Sequence, residues 1–168
     1  PVTFVVAFGP GAVTDTLARL IGQKVAESLG QTVVVDNRPG AGGNIGAQRV
    51  KNAAPDGYTV LITSVAYAIN PSLFANAGYD PLKDFIPLIL VGTVPNAISV
   101  HPAVPARSLQ ELTKLARQQP LAYATPGIGT SGHLTMERIK AIAKIDVTHV
   151  PFQPAQAVTA VLGGQLPV

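Results

Sequence analysis

The apolar positions of this chain switch between two periods. Phe4–Ala7 is a short continuous apolar run, as in a buried strand. After the loop Phe8-Gly9-Pro10-Gly11-Ala12-Val13-Thr14-Asp15, residues Val13, Leu17, Leu20, Ile21 and Val25 recur at helical spacing, and Gly30 is placed to end that helix. Val33–Val35 predicts a second strand. The polar, glycine-rich stretch Asp36–Gly43 is a loop, and Asn44 is expected to cap a helix reaching about Ala54. Pro55-Asp56-Gly57 marks a turn and Thr59–Ser64 a third strand. This β-α-β-α-β alternation predicts the α/β class, with a parallel sheet and right-handed crossovers.

The middle is less regular. Asn70-Pro71 is expected to start a short helix, Ser72–Asn76, and Asp80-Pro81-Leu82-Lys83-Asp84 reads as a turn. Ile86–Val91 and Ala97–Val100 have strand-like composition. Ser108-Leu109-Gln110-Glu111 fits a capping box opening a helix to about Gln118. Ala122–Thr125 predicts a strand, Pro126–Gly132 a second glycine-rich loop, His133–Ala143 a helix, Val147–Phe152 a strand and Gln153–Leu162 a helix ended by Gly163-Gly164. Two βαβ assemblies thus lie in series, joined near Val100–Val104. Each opens with a strand, a glycine-rich turn and a helix. The second stops as another strand begins, and sheets of so few strands leave apolar faces open. A truncated form of a longer protein is therefore expected.

Composition narrows the function. With 47% hydrophobic and 12% charged residues, the chain is built to fold around a core. Its net charge of +3 comes from scattered Lys and Arg without interleaved aromatics, which speaks against a nucleic-acid partner. The absence of Cys excludes disulfides, thiolate metal sites and a Cys nucleophile. No apolar run approaches a membrane span, and no signal peptide precedes Pro1, so a leader is expected to have been removed or left out.

The candidate chemistry lies in Phe8–Asp15 and Pro126–His133. A helix N-terminus carries unpaired N–H groups and a partial positive charge, and a glycine turn lets a ligand approach that backbone. Specific phosphate signatures fail. No Gly-x-x-x-x-Gly-Lys-Ser/Thr loop exists. Gly127-Ile128-Gly129-Thr130-Ser131-Gly132 matches a dinucleotide fingerprint, but the next strand ends in Val150-Pro151-Phe152-Gln153 without the ribose-binding acid, and Asp146 precedes that strand. A nucleotide-dependent enzyme using Gly127–Gly132 is the alternative reading. There is no Gly-x-Ser-x-Gly elbow, and His101, His133 and His149 lack metal-ligand spacing. An Asp15–Ser131–His133 triad is disfavoured, because Ser131 and His133 straddle a helix start and diverge. His133 reads as a capping or cleft-lining residue. A carboxylate is the anion left.

At these residues the chain resembles a family. Val5-Val6-Ala7-Phe8-Gly9-Pro10-Gly11-Ala12-Val13-Thr14-Asp15 is similar to the opening of the Bug-type (TctC-like) solute-binding receptors of tripartite tricarboxylate transporters. Val34-Val35-Asp36-Asn37-Arg38-Pro39-Gly40-Ala41-Gly42-Gly43-Asn44-Ile45-Gly46, Ala54-Pro55-Asp56-Gly57-Tyr58-Thr59, Ala68-Ile69-Asn70-Pro71 and Tyr79-Asp80-Pro81-Leu82-Lys83-Asp84-Phe85 follow in order. So do Gly127-Ile128-Gly129-Thr130-Ser131-Gly132-His133-Leu134, His149-Val150-Pro151-Phe152 and Leu162-Gly163-Gly164-Gln165.

The resemblance implies a periplasmic-binding-protein-like, type II "Venus flytrap" fold of two lobes, incomplete at the C-terminus, with residues 1–100 in the first lobe and 101–168 in part of the second. It implies a periplasmic, monomeric, non-enzymatic receptor without cofactor or metal. The expected ligand is a small carboxylate: a di- or tricarboxylate, an aromatic carboxylate or an acidic amino acid. The expected partners are membrane transporter subunits. Carried over, Phe8, Gly11, Ala12, Thr14 and Asp15 form the first-lobe turn, Gly129, Thr130, Ser131 and His133 the second, and Ser64 and Ala66 border the cleft. Against the family pattern, Ala12 stands where Gly is commoner and so has to adopt that turn's backbone angles. Gln153-Pro154 replaces a Lys-Gly-like continuation at the ligand-selecting edge.

Overall fold

The computed structural model describes residues 1–152 and 154–168 and resolves the chain into two compact units, Pro1–Thr93 and Val94–Val168.

The first unit is a three-stranded parallel sheet. Strand β1 (Val2–Val6) lies between β2 (Val33–Asn37) and β3 (Thr59–Ile62), with Phe4 opposite Val35 on one side and Val60 on the other. A central parallel strand is covered on both faces, which explains the unbroken apolar run: Val5 and Val6 are completely buried. Burial at that level contributes about 1.5–3 kcal/mol per side chain.

Helix α1 (Val13–Leu29) packs Ala18, Ile21 and Val25 against Phe4, Val33 and Val35. Gly30 ends it in the left-handed conformation, as expected. Val13 and Leu20, which share the helical spacing, are exposed instead, so the buried stripe is narrower than the sequence pattern.

A single 3-10 turn, Ala41–Gly43, leads into helix α2 (Asn44–Lys51). Asn44 does not cap it: the cap position is Gly43, with no side-chain bond. The Asn44 side chain is buried, where its Oδ1 accepts from Asn70 Nδ2 at 2.7 Å. Gly46 brings α2 hard against the end of β1. A Cβ there would lie 2.7 Å from Ala7 Cα and 3.2 Å from the Arg38 carbonyl.

Helix α3 (Ala66–Leu73) begins well before the expected Ser72 and runs through Pro71. Proline removes the bond to the carbonyl four residues back, that of Tyr67. Tyr79 restores it, its hydroxyl donating to Tyr67 O at 2.8 Å, while the Tyr67 and Tyr79 rings stack at 5.3 Å. Tertiary contact thus lets the helix pass a residue that would stop it locally. The Asp80–Asp84 turn forms as predicted, Asp80 Oδ1 accepting the amides of Leu82 and Lys83.

Ile86–Val91 and Ala97–Val100 are not strands. Strand formation needs an adjacent backbone to pair with, and none lies beside them among the described residues. Ile86, Leu88, Ile89 and Leu90 remain 87, 74, 81 and 80% exposed.

In the second unit, helix α4 (Leu109–Ala116) begins at the predicted cap, with Ser108 Oγ accepting the Glu111 amide at 3.2 Å. Strands β4 (Leu121–Thr125) and β5 (Val147–Pro151) pair in parallel, joined by helix α5 (Ser131–Ala143). Helix α6 (Pro154–Leu162) follows. Gln153, where that helix was expected to start, lies outside the described residues. The core gathers Leu112, Ala116, Leu121, Tyr123, Met136 and Val147. Val168 O accepts the Ala124 amide, so the end of the chain runs along the free edge of β4.

Candidate functional site

In the first unit the chain reverses sheet direction at β1, since α1 leads to β2 on one side and β3 pairs on the other. In open parallel sheets such a switch point, at the carboxyl ends of the strands, is where ligands bind. Phe8–Asp15 sits there. The Ala12 amide donates to Gly9 O at 3.2 Å, and Gly11, at φ +82°, takes the left-handed angle a type II turn needs after Pro10. Ala12 itself has φ −66° and ψ 157°, ordinary extended backbone, so the demand expected of Ala12 falls on Gly11.

The second unit repeats the device after β4. The Thr130 amide donates to Gly127 O at 3.3 Å, Gly129 has φ +83°, and Thr130 precedes α5 with φ −72° and ψ 157°. In both turns the side chain three residues into the helix reaches back to the glycine before the cap. Asp15 Oδ2 accepts the Gly11 amide at 3.0 Å, and His133 Nδ1 accepts the Gly129 amide at 3.4 Å.

What remains is three free amides at each helix start. Val13, Thr14 and Asp15, and Ser131, Gly132 and His133, donate their backbone N–H groups to no partner among the described residues. Thr14 Oγ1 is also buried without a hydrogen bond among them.

The supports differ in charge. Asp15 is buried, and its carboxylate takes Arg19 Nε at 3.1 Å and Asn37 Nδ2 at 2.9 Å besides Gly11. Burial alone would raise its pKa. The bonds from Arg19, Gly11 and Asn37, with the guanidinium charge, outweigh this and hold the carboxyl below its ordinary range. Asn37 also donates to Phe8 O at 3.0 Å. Phe8, Ala12 and Ala66 share one buried cluster, and Ser64 Oγ accepts the Ala66 amide at 3.3 Å.

In the second unit Thr125 Oγ1 lies 2.7 Å from His149 Nε2 and accepts the Gly127 amide at 3.2 Å. Thr130 Oγ1 donates to Gly127 O at 2.7 Å, so its hydroxyl faces into the turn. Ser131 Oγ donates to Asn96 Oδ1 at 2.9 Å. Burial, and then the charge of His133, lower the His149 pKa. Burial and the Glu137 carboxylate push the Tyr123 hydroxyl up.

The expected residues therefore divide. Thr14, Asp15, Ser131 and His133 contribute free amides. Gly11, Ala12, Gly129 and Thr130 shape the turns, and Phe8, Ser64 and Ala66 pack or hold the first. Val13 and Gly132 were missed, although counting the first turn of each helix would have included them. Asn37 and His149 carried no chemical signal in sequence. Asp15 bonds to Gly11, Arg19 and Asn37, Ser131 to Asn96, and His133 to the Gly129 amide.

The family described as "Tripartite tricarboxylate transporter family receptor" matches residues 17–168. The chain belongs to this receptor family. BugT of Bordetella pertussis is 35% identical over 98% of this chain, and a UPF0065 protein of a Pseudomonas species 38% identical over 99%. The chain spans about half the length of these relatives, 52% and 50%.

Among solved structures, an R. palustris protein with adipate superposes with a TM-score of 0.93 at 39% identity, over 99% of this chain and 57% of that one. MatC from Rhodopseudomonas palustris, with bound malate, gives 0.84 at 34% identity, over 99% and 58%. The periplasmic binding protein BugD gives 0.85 at 30% identity, over 99% and 57%. The fold is therefore that of these periplasmic binding proteins, over the part the chain covers. No helix among the described residues is long and apolar enough to cross a membrane.

Proposed function

We propose that this receptor captures a small carboxylate outside the cytoplasm and delivers it to the membrane subunits of a tripartite tricarboxylate transporter, without chemical change to the ligand. The observation that carries the reading is the repeated device: in each unit, a glycine turn opens a helix whose first three amides have no hydrogen-bond partner among the described residues. Such amides suit a carboxylate, whose two oxygens accept several N–H bonds and whose charge the helix start favours.

In this reading residues 1–100 belong to one lobe and residues 101–168 to part of a second. The candidate contacts are Phe8–Asp15, with Ser64 and Ala66 beside it, in the first unit, and Gly129–His133 in the second. The relatives solved with adipate and malate make aliphatic dicarboxylates the first ligands to test.

Calorimetric titration of the intact chain with adipate, malate, citrate, benzoate, aspartate and NADH tests the proposal. Saturable binding of a carboxylate with no response to NADH supports it. Binding of NADH and of no carboxylate overturns it in favour of a nucleotide enzyme using Gly127–Gly132.

A further inference from the structure

We infer that His149 is a positioning residue of the second turn: with its Nε2 bare, it accepts the hydrogen bond of the Thr125 hydroxyl and thereby fixes Gly127 and the aim of the Ser131–His133 amides. The inference rests on the reading of that turn as a carboxylate cradle.

The geometry around Gly127 decides where the protons go. Thr125 is buried, and among the described residues its Oγ1 has three hydrogen-bond neighbours: the Gly127 amide at 3.2 Å, the Gly127 carbonyl at 3.3 Å and His149 Nε2 at 2.7 Å. The amide only donates, so Oγ1 accepts there. A hydroxyl has a single proton left to give, to the carbonyl or to the imidazole. Gly127 O already receives the Thr130 hydroxyl at 2.7 Å and the Thr130 amide at 3.3 Å, which occupy its two lone pairs. The proton therefore goes to His149 Nε2, along the shorter contact. This requires a neutral imidazole protonated at Nδ1, the charge state that burial favours.

The imidazole is itself held. His149 stands opposite Tyr123 in the β4–β5 register, and its ring centroid lies 5.0 Å from that of Tyr123 and 4.6 Å from that of His133. His133 Nδ1 in turn accepts the Gly129 amide. One side chain from β5 thus braces both glycine peptides of the turn, through Thr125 and through the face of His133. In the first unit Asn37, on the strand after the helix, braces Phe8 O and Asp15 in the same way. In each unit the second strand of the βαβ motif carries the brace for the turn after the first.

The test has a ligand-free arm and a binding arm, both on the intact chain. Long-range proton–nitrogen NMR of the unliganded protein should show His149 Nε2 unprotonated, and His149→Phe should move the Gly127 and Gly129 amide signals. In adipate titrations His149→Phe, which keeps the ring packing, should weaken binding about tenfold, as should Thr125→Val. The double variant should be no weaker than either single one, because both cut the same chain of bonds. His149→Gln, which keeps a polar terminus, should recover affinity to within about threefold. Thermal melts confirm that each variant folds.

A protonated Nε2, unmoved glycine signals in His149→Phe, or additive losses in the double variant would each overturn the inference. If the unmodified protein binds no carboxylate, the proposed function fails, and the NMR arm still decides the role of His149.

Discussion

Replacing Asp15 with Ala is the sharpest test of how the first turn is built. The substitution strands the Gly11 amide and one of the two N–H groups of Asn37 Nδ2, whose other N–H keeps Phe8 O, and releases Arg19 from contacts of 3.1 and 3.0 Å. Arg19 is 54% exposed against 5% for Asp15, so the guanidinium returns to water and its share is small. The amides contribute most of the loss. Hydrogen bonds to a charged group are worth about 1.5–3 kcal/mol each, and partial access of water to the vacated site lowers their sum. We expect a loss of about 2–4 kcal/mol. Asp15→Asn keeps one acceptor oxygen and should lose about half of that. Urea denaturation followed by circular dichroism measures both, with an unchanged slope showing that the denatured state is not the cause. Adipate affinity should fall as well, since the turn that aims the Val13–Asp15 amides loosens. An Asp15→Ala protein within about 0.5 kcal/mol of the parent would show that the carboxylate organises nothing.

Gly46→Ala should destabilise by about 1–3 kcal/mol and weaken carboxylate binding, because its Cβ meets the Ala7 backbone at 2.7 Å, whereas Gly11→Ala, with nothing within 4 Å, should cost only the strain of φ +82°, about 1–2 kcal/mol. Equal urea midpoints for Gly46→Ala and the parent would contradict the close approach of α2. Tyr79→Phe should lose about 1–2 kcal/mol by uncapping the Tyr67 carbonyl that Pro71 leaves open, and a melting curve identical to the parent's would refute this. Acid should act in two stages. His149 has a lowered pKa in the fold, so its contribution is fully present above the ordinary value of 6.5 and is lost as pH falls through the lower folded value; Asp15, also lowered, loses its contribution only as pH falls below 3.8. In urea midpoints measured across that range, His149→Gln should remove the first stage and Asp15→Asn should shrink the second, to which the lowered carboxyls of Asp80, Asp84 and Glu137 also contribute, and a single stage unaffected by His149→Gln would refute the assignment.

Much of the site is legible in the sequence, because its parts are local. Pro10-Gly11 and Gly127–Gly129 specify turns through backbone angles that neighbouring residues do not alter, and a helix start exposes its amides whatever surrounds it. The β-α-β-α-β order follows from periodicity alone. Long-range contact decided the rest. Asn37 reaches Asp15 only because β2 pairs with β1, and His149 reaches Thr125 only because β5 pairs with β4. Asn44 left its cap position because Asn70 offered a buried partner, and Pro71 stayed inside a helix because a tyrosine hydroxyl replaced the missing bond. Ile86–Leu90 has the composition of a strand and none of the pairing, since composition belongs to the segment but hydrogen-bond partners belong to the fold. The sequence by itself determined where two glycine turns would open helices. Only tertiary structure decided that Asn37 would reach the first and His149 the second, because these side chains come from strands brought beside each turn by sheet pairing.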